Sequence, residues 1–271
     1  MMAGASRDSL AAALQAAGPV LNEGGVALAR ELFGALDVVD EHGPVRRALT
    51  DPAWTTERRH GLVDSLFGTR VTPGALQVLK DLAGRRWSAE RDLGDALEVV
   101  ASHAAAAEAE RGGHEGLAGL SRELLGFNRT ADASHDVQWA LTDQQAPAEA
   151  RVALAHRLLG EDATEPGKLL VERAVKAPRG RKPFRAVRDF ADVVADRQRQ
   201  WIADVTVAKP LEKTQQDRLS QGLDRAFGRE LVLDVTVDPT VVGGIRVQVG
   251  DDVIDASMSS RLNDLQRRMA G

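Results

Sequence analysis

The 271-residue sequence contains no cysteine and no tyrosine, and aromatic residues make up only 4% of it. Without cysteine the chain has no disulfide and no thiolate metal site, which is compatible with a reducing compartment. So few aromatic side chains argue against the stacking platforms that bind single-stranded nucleic acid. The formal charge of −5 also argues against a general nucleic-acid-binding protein.

Long apolar runs are missing as well. No stretch of about 18 apolar residues occurs, so we expect no membrane-spanning helix. The first residues lack the basic and apolar segments of a signal peptide. Hydrophobic residues nevertheless make up 43% of the sequence, which is enough to fill real cores. The length fits two or three domains of ordinary size.

The C-terminal part is organised around the stretch from Asp238 to Leu265. Ile245, Val247 and Val249 alternate with polar residues, which predicts a strand with one buried face. Gly250-Asp251 lies between two apolar runs and predicts a two-residue hairpin turn. Gly243-Gly244 predicts a bulge or a close backbone contact. Four apolar residues at helical spacing predict a closing helix: Met258, Leu262, Leu265 and Met269.

The same stretch carries an ordered pattern of residues: Asp238-Pro239, Gly243-Gly244-Ile245-Arg246-Val247, Gly250-Asp251, Val253-Ile254-Asp255, Ser257 and Arg261-Leu262. This pattern resembles the C-terminal signature of the delta subunit of F-type ATP synthases. The mitochondrial counterpart in that family is the oligomycin-sensitivity-conferring protein. The resemblance extends more loosely upstream to about Trp201, and in helical pattern over the rest of the chain.

The region before this stretch contains an internal repeat. Five blocks recur in the same order, at offsets that drift only from 92 to 94 residues. The matched pairs are Ala29–Gly34 with Ser121–Gly126, Ala48–Asp51 with Ala140–Asp143, Leu66–Gly68 with Leu158–Gly160, Pro73-Gly74 with Pro166-Gly167, and Val99–Ala101 with Val193–Ala195. A period this long indicates duplication of a whole domain rather than a solenoid repeat.

Each copy reads as a helical bundle, with a break between the copies at Arg111-Gly112-Gly113. Thr72-Pro73 predicts a helix start, and Ser88 is a candidate N-cap for the next helix. After Trp201 the apolar period changes from 3.6 to 2. We therefore predict a mostly α chain with a small α+β C-terminal domain. The expected domains are a first helical bundle over residues 1–111, a second over 112–203, and a β-α-β-β-β-α domain over 204–271.

No constellation of residues indicates catalysis. Gly243-Gly244 is not followed by the Lys-Ser/Thr of a phosphate-binding loop. Gly250-Asp251-Asp252 matches the metal-binding triplet of palm-type polymerases, but that chemistry needs a much larger domain, and a hairpin turn explains the triplet better. None of the six histidines stands four residues from another. We expect no catalytic residue, no cofactor and no metal.

A basic run is the strongest candidate for a binding site. Residues 168–188 contain eight basic residues and one acid. The run is compatible with a solvated surface, or with binding to an acidic partner helix, to anionic lipid or to nucleic acid. The low aromatic content and the net negative charge of the chain favour a partner helix over nucleic acid. The candidate partner-binding residues are Arg179, Arg181 and Arg185 of this run, with Arg246 and Arg261 of the C-terminal stretch.

The resemblance implies a non-catalytic part in a proton-translocating ATP synthase. Delta subunits belong to the peripheral stalk, where the helical bundle grips N-terminal helices of alpha subunits and the C-terminal domain meets subunit b. The implied location is the cytoplasmic side of the cell membrane, reached only through partners. The residues alone are also compatible with two other functions. One is a helical adaptor that binds amphipathic partner helices outside the synthase, and the other is an RNA-binding protein that uses the basic run.

Overall fold

The computed structural model describes residues 4–199, 201–228, 231–238, 244–249 and 252–255, without the side chains of residues 132 and 255. The chain divides into two compact units, Met1–Val194 and Ala195–Gly271. The predicted fold class is confirmed, because helices fill the first unit and a small mixed sheet with one helix forms the second. The separation of the helical part at residues 111 and 112 stays a prediction.

Ten helices begin within the first unit: α1 Gly4–Glu41, α2 Gly43–Thr50, α3 Thr56–Phe67, α4 Pro73–Gly84, α5 Glu90–Glu110, α6 Gly113–Asp132, α7 His135–Thr142, α8 Ala148–Leu159, α9 Glu165–Lys176 and α10 Pro183–Arg199. Helix α1 is broken at Gly25, which has φ 53° and ψ −142°. We call its two parts α1N (residues 4–24) and α1C (residues 26–41).

The helices repeat as the sequence predicts. Helices α2, α3 and α4 begin and end 92 residues before α7, α8 and α9, and α5 begins 93 residues before α10. Side-chain contacts repeat with them: Glu31 accepts a hydrogen bond from the Thr72 hydroxyl at 2.7 Å, and Glu123 accepts one from Thr164 at 2.8 Å. Each threonine is also the N-cap of its helix, which confirms the predicted start at Thr72-Pro73.

Helix α5 lies at the centre of the helical unit. Its buried face consists largely of alanines with no exposed surface, among them Ala96, Ala101, Ala104 and Ala105. Such small side chains let neighbouring helices approach closely. Helices α1, α6 and α9 all pack against α5, and α1 has the most extensive contact with it.

The predicted N-cap at Ser88 is wrong. Ala89 is the N-cap residue of α5, and the Asp92 carboxylate accepts a hydrogen bond from the Ala89 N–H at 3.1 Å. The backbone N–H of Ser88 instead donates to the hydroxyl of Ser6, which itself donates to Asp92 at 2.6 Å. The start of α5 is therefore fixed by a contact with the start of α1N, which local sequence patterns do not reveal.

The two bundles share α5. In the first bundle, Ser6 of the first helix meets Ser88, the second residue before the last helix. In the second bundle Glu98 is equivalent to Ser6, 92 residues further on, and Arg181 is equivalent to Ser88, 93 residues further on. The Nη2 atom of Arg181 lies 2.7 Å from the Oε1 atom of Glu98. Because Glu98 belongs to α5, the last helix of the first bundle also serves as the first helix of the second. A glycine with positive φ follows the first helix in both cases, Gly25 and Gly113.

Gly34 gives a simple test of the helical assignment of α1C. It is exposed in the helix interior, and a methyl group built on it would meet no atom within 4 Å. We expect Gly34→Ala to raise the free energy of unfolding by roughly 0.5–1 kcal/mol, because alanine loses less backbone entropy in a helix. Urea denaturation followed by circular dichroism measures this change. A lower stability would mean that the position is not a free helical surface.

The second unit contains β1 Ile202–Val207, α11 Lys213–Phe227, β2 Val232–Val237, β3 Ile245–Val249 and β4 Asp252–Asp255. The strand order is β2-β1-β3-β4, with β1 and β2 parallel and the other pairs antiparallel. Buried side chains of β1 and β3 pack with Leu223 of α11 and with Leu231. The predicted order from the first strand to the fourth is confirmed, and the predicted closing helix after Asp255 lies outside the described residues.

The predicted turn residues are only partly described. Gly244, directly before β3, has φ 88°, a conformation that L side chains rarely adopt. Val249 pairs with Asp252, so Gly250 and Asp251 are the two residues that join β3 to β4. The conformations of Gly243, Gly250 and Asp251 lie outside the described residues.

Candidate functional site

The five candidate arginines lie in different surroundings. Arg179 and Arg181 belong to the loop between α9 and α10, and Arg185 lies in the first turn of α10. Arg246 is exposed on β3. Arg261 lies outside the described residues.

Arg179 is held by carboxylates of the first bundle. Its side chain is only 8% exposed. Its Nε donates to Asp40 Oδ2 at 2.6 Å, and its Nη1 lies 2.7 Å from Asp95 and 3.2 Å from Glu98. The residue has φ 53°, the only positive φ of a non-glycine residue in the described chain. A backbone conformation of this kind costs about 1–3 kcal/mol, so the surrounding contacts hold it in place.

Arg181 extends the same network. Its Nη2 donates to both carboxylate oxygens of Glu98 at 2.7 Å, and its Nη1 donates to Asp189 at 2.9 Å. The side chain of Glu98 is 6% exposed and accepts hydrogen bonds from two arginines. Arg185 pairs with Asp189 at 3.1 Å but stays 70% exposed. Glu98 is therefore the buried centre that joins the α9–α10 loop to α5.

A second contact between the bundles lies on α9. The buried Arg173 guanidinium pairs with Asp37 of α1C and lies 5.1 Å from the ring centroid of Phe33. Phe33 also packs against Phe190 of α10, with ring centroids 6.3 Å apart. Apolar and ionic contacts therefore cover the same face of α1C.

The pKa of Arg179 shows the balance of forces at this site. Burial of the guanidinium is the largest influence and by itself would lower the pKa, but the hydrogen bond to Asp40 and the negative charges of Glu98, Asp40 and Asp95 together raise it above the ordinary value. The surrounding carboxylates therefore stabilise the charged form of the Arg179 guanidinium. We name the residues Asp37, Asp40, Asp95, Glu98, Arg173, Arg179 and Arg181 the inter-bundle network.

The network changes how the basic run is interpreted. Arg179 and Arg181 are paired with carboxylates of the same chain and are largely shielded from solvent, whereas Arg185, which pairs with Asp189, and Arg246 are exposed. Contact of any of these arginines with a partner stays a prediction. The acids could not be found from sequence, because Asp40 is 139 residues from Arg179. The one feature of the sequence that pointed to a buried charge was Glu98, which lies between the apolar residues Leu97 and Val99.

The described residues offer neither a metal site nor a membrane span. Within the described ranges, no group of three or more histidine or acidic side chains could hold a metal ion. No helix in those ranges is long and apolar enough to cross a membrane. The concentration of buried charge between the bundles is therefore the feature with the clearest physical role.

Comparison with known proteins connects these features to a family. Residues 100–269 match the family model described as the ATP synthase delta (OSCP) subunit. The chain belongs to this family. Proteins named ATP synthase subunit delta match it along its length: one from an Arthrobacter species is 46% identical and one from Renibacterium salmoninarum is 47% identical, each covering 100% of both chains. The protein of that name from Streptomyces avermitilis is 40% identical over 98% of both chains.

The family match begins inside the shared helix. Residue 100 lies near the middle of α5, so the match includes about half of α5 together with the rest of the second bundle and most of the C-terminal unit. The first 99 residues lie outside the match, but the full-length relatives align with them too. The chain is therefore a subunit of an ATP synthase in which one helical bundle precedes the part that matches the family.

Proposed function

We propose that this chain is a non-catalytic stator subunit of a proton-translocating F-type ATP synthase. In this role it links the N-terminal helices of alpha subunits to subunit b and resists the torque of the rotor. The observation that carries the proposal is the family match over the second bundle and the C-terminal unit. The proposed location is the cytoplasmic side of the cell membrane, with attachment through partners and without cofactor or nucleic acid.

The structure supports a mechanical role through the joint between the bundles. A stator transmits force, and a flexible joint between two bundles would let the head turn. Here the bundles share α5 and are joined by seven side chains of the inter-bundle network. Buried arginine–carboxylate pairs have fixed geometry, since the planar guanidinium fork donates in set directions.

Coupling in membranes tests the proposal. Inverted membrane vesicles whose ATP synthase has been stripped of this chain should still hydrolyse ATP but should not acidify their interior. Adding the purified full-length chain should restore ATP-driven acidification. Rotation of the rotor drives proton transport only when the catalytic head is prevented from turning with it. Quenching of a pH-sensitive dye and release of phosphate report the two activities separately.

Two further vesicle samples complete this experiment. Untreated vesicles set the full signal, and stripped vesicles given the same concentration of heat-unfolded chain set the background. Stripped vesicles that acidify as well as untreated ones would contradict the stator role. In that case an adaptor that binds partner helices outside the synthase would be the better interpretation.

A further inference from the structure

The face of the first bundle that receives the second consists of one stripe on α1C. Its residues point at α9, the α9–α10 loop and α10. The contacts along the stripe are Arg30 with Glu165 at 3.6 Å, Phe33 with Phe190, Asp37 with Arg173, and Asp40 with Arg179 at 2.6 Å. Asp95 and Glu98 of α5 complete this receiving face with two more carboxylates.

The duplication places an equivalent face on the second bundle. The equivalent positions on α6, 92 residues further on, are Arg122, Leu125, Arg129 and Asp132. Alongside them runs the start of α10, where Phe184 and Arg188 occupy the positions of Arg91 and Asp95. A groove of about 420 Å³ lies between the two helices, and we call it the α6–α10 groove; its lining residues are Leu125, Asn128, Arg129, Phe184, Arg185 and Arg188.

The described lining of the α6–α10 groove is basic, with three arginines and no acidic residue. Arg129 stands where the first bundle has Asp37, and Arg188 where it has Asp95. Two other contact positions keep their charge, since Arg122 corresponds to Arg30 and Asp132 to Asp40. No third bundle covers the groove in the described part of the chain. The second bundle therefore has arginines at two of the positions where the first bundle offers acids to its neighbour.

The groove has the parts that a docking site needs. Asn128 donates a hydrogen bond to the Phe184 carbonyl at 3.1 Å, which ties α6 to α10 at its base. Leu125 and Phe184 are partly exposed and offer apolar anchors. Arg188 is 60% exposed and pairs only loosely with Asp192, at 3.8 Å. A surface pair of this kind contributes about 0–1 kcal/mol, so exchanging it for a partner carboxylate costs little.

We propose that the α6–α10 groove docks an acidic segment of another subunit of the synthase, with Arg129 and Arg188 in the places of the acids by which α1C and α5 receive the second bundle. This inference rests on the proposed function. Residues 256–271 of the chain itself are a poor match in charge, since they carry three arginines against Asp264. A second copy of this chain is disfavoured too, because its Arg173, Arg179 and Arg181 are already paired with carboxylates of its own α1C and α5.

A matched pair of charge reversals tests the groove. Arg129→Glu with Arg188→Glu alters the groove, and Arg7→Glu with Arg70→Glu makes the same change in net charge at other exposed positions. Each full-length variant is titrated into the synthase stripped of this chain, after its thermal unfolding has been compared with the wild type. We expect binding to weaken by about tenfold or more for the groove variant and by less than about twofold for the control. The difference should shrink as salt rises. Equal binding by the two variants would overturn the proposal.

Crosslinking in the assembled complex identifies the occupant. A photoreactive benzoylphenylalanine at Leu125 of the full-length chain should link to a segment of another subunit that is rich in Asp and Glu. A link to a second copy of this chain, to a segment without excess acid, or to nothing would overturn the proposal while leaving the stator role intact. Failure of the wild-type chain to bind the stripped complex would instead remove the proposed function, and this inference with it.

Discussion

Glu98→Ala is expected to lower the free energy of unfolding of the helical unit by about 3–5 kcal/mol. Glu98 is 6% exposed and lies between Arg179 and Arg181. Removing it takes away the buried carboxylate that Arg179 and Arg181 share, although Asp40, Asp95 and Asp189 still pair with them. Breaking a buried ion pair on one side has this magnitude. Urea unfolding followed by helical circular dichroism measures the change.

Two further variants show where the effect comes from. Glu161→Ala, at an exposed turn position, should change the stability by less than about 0.5 kcal/mol. The double variant Glu98→Ala with Arg181→Ala should lose less than the sum of the single losses, because each single change already breaks the contact between the two residues. Additive losses would mean that the pair does not interact in solution.

Gly25→Ala is expected to destabilise the chain by about 3 kcal/mol. Gly25 is buried and combines φ 53° with ψ −142°, a region open almost only to glycine. A methyl group there would also overlap the Glu108 carboxylate, which accepts a hydrogen bond from the Val26 N–H at 3.4 Å. Arg111, which donates to the Glu23 carbonyl at 2.9 Å, would be displaced with it. The midpoint of thermal unfolding reports the loss.

Gly34→Ala is the matched control for this change, since it makes the same substitution in the same helix at an open, exposed position. It should raise the midpoint while Gly25→Ala lowers it. If both substitutions raised the midpoint, α1 would run unbroken through residue 25 and the sharp turn between α1N and α1C would be wrong.

Much of the fold follows from local patterns. The start of α4 at Thr72-Pro73 needs only a hydroxyl to cap it and a fixed φ at the next residue, and both are visible in the sequence. The alternation of Ile245, Val247 and Val249 is enough to predict β3. The repeat of 92 residues predicts the second set of helices from the first, since equal patterns fold alike.

The contacts between the bundles could not be predicted in this way. Arg173 pairs with Asp37 across 136 residues of sequence, and no spacing rule joins two such positions. The basic run gave the correct location of concentrated charge, but it did not show that Arg179 and Arg181 are occupied within the chain. These two side chains are far less exposed to solvent than that of Arg185. Solvent exposure depends on how the helices pack, which a single sequence does not show.

Because α5 belongs to both bundles, it also sets the size of the repeating unit that would be added or lost if the number of bundles changed. A six-helix bundle occupies residues 4–110, yet corresponding helices recur every 92 residues because α5 is counted twice. Each added bundle therefore needs five new helices and not six. Removing the residues before Glu90 would leave α5 intact as the first helix of the second bundle. A cut after residue 112 would instead leave the whole of α5 with the first bundle.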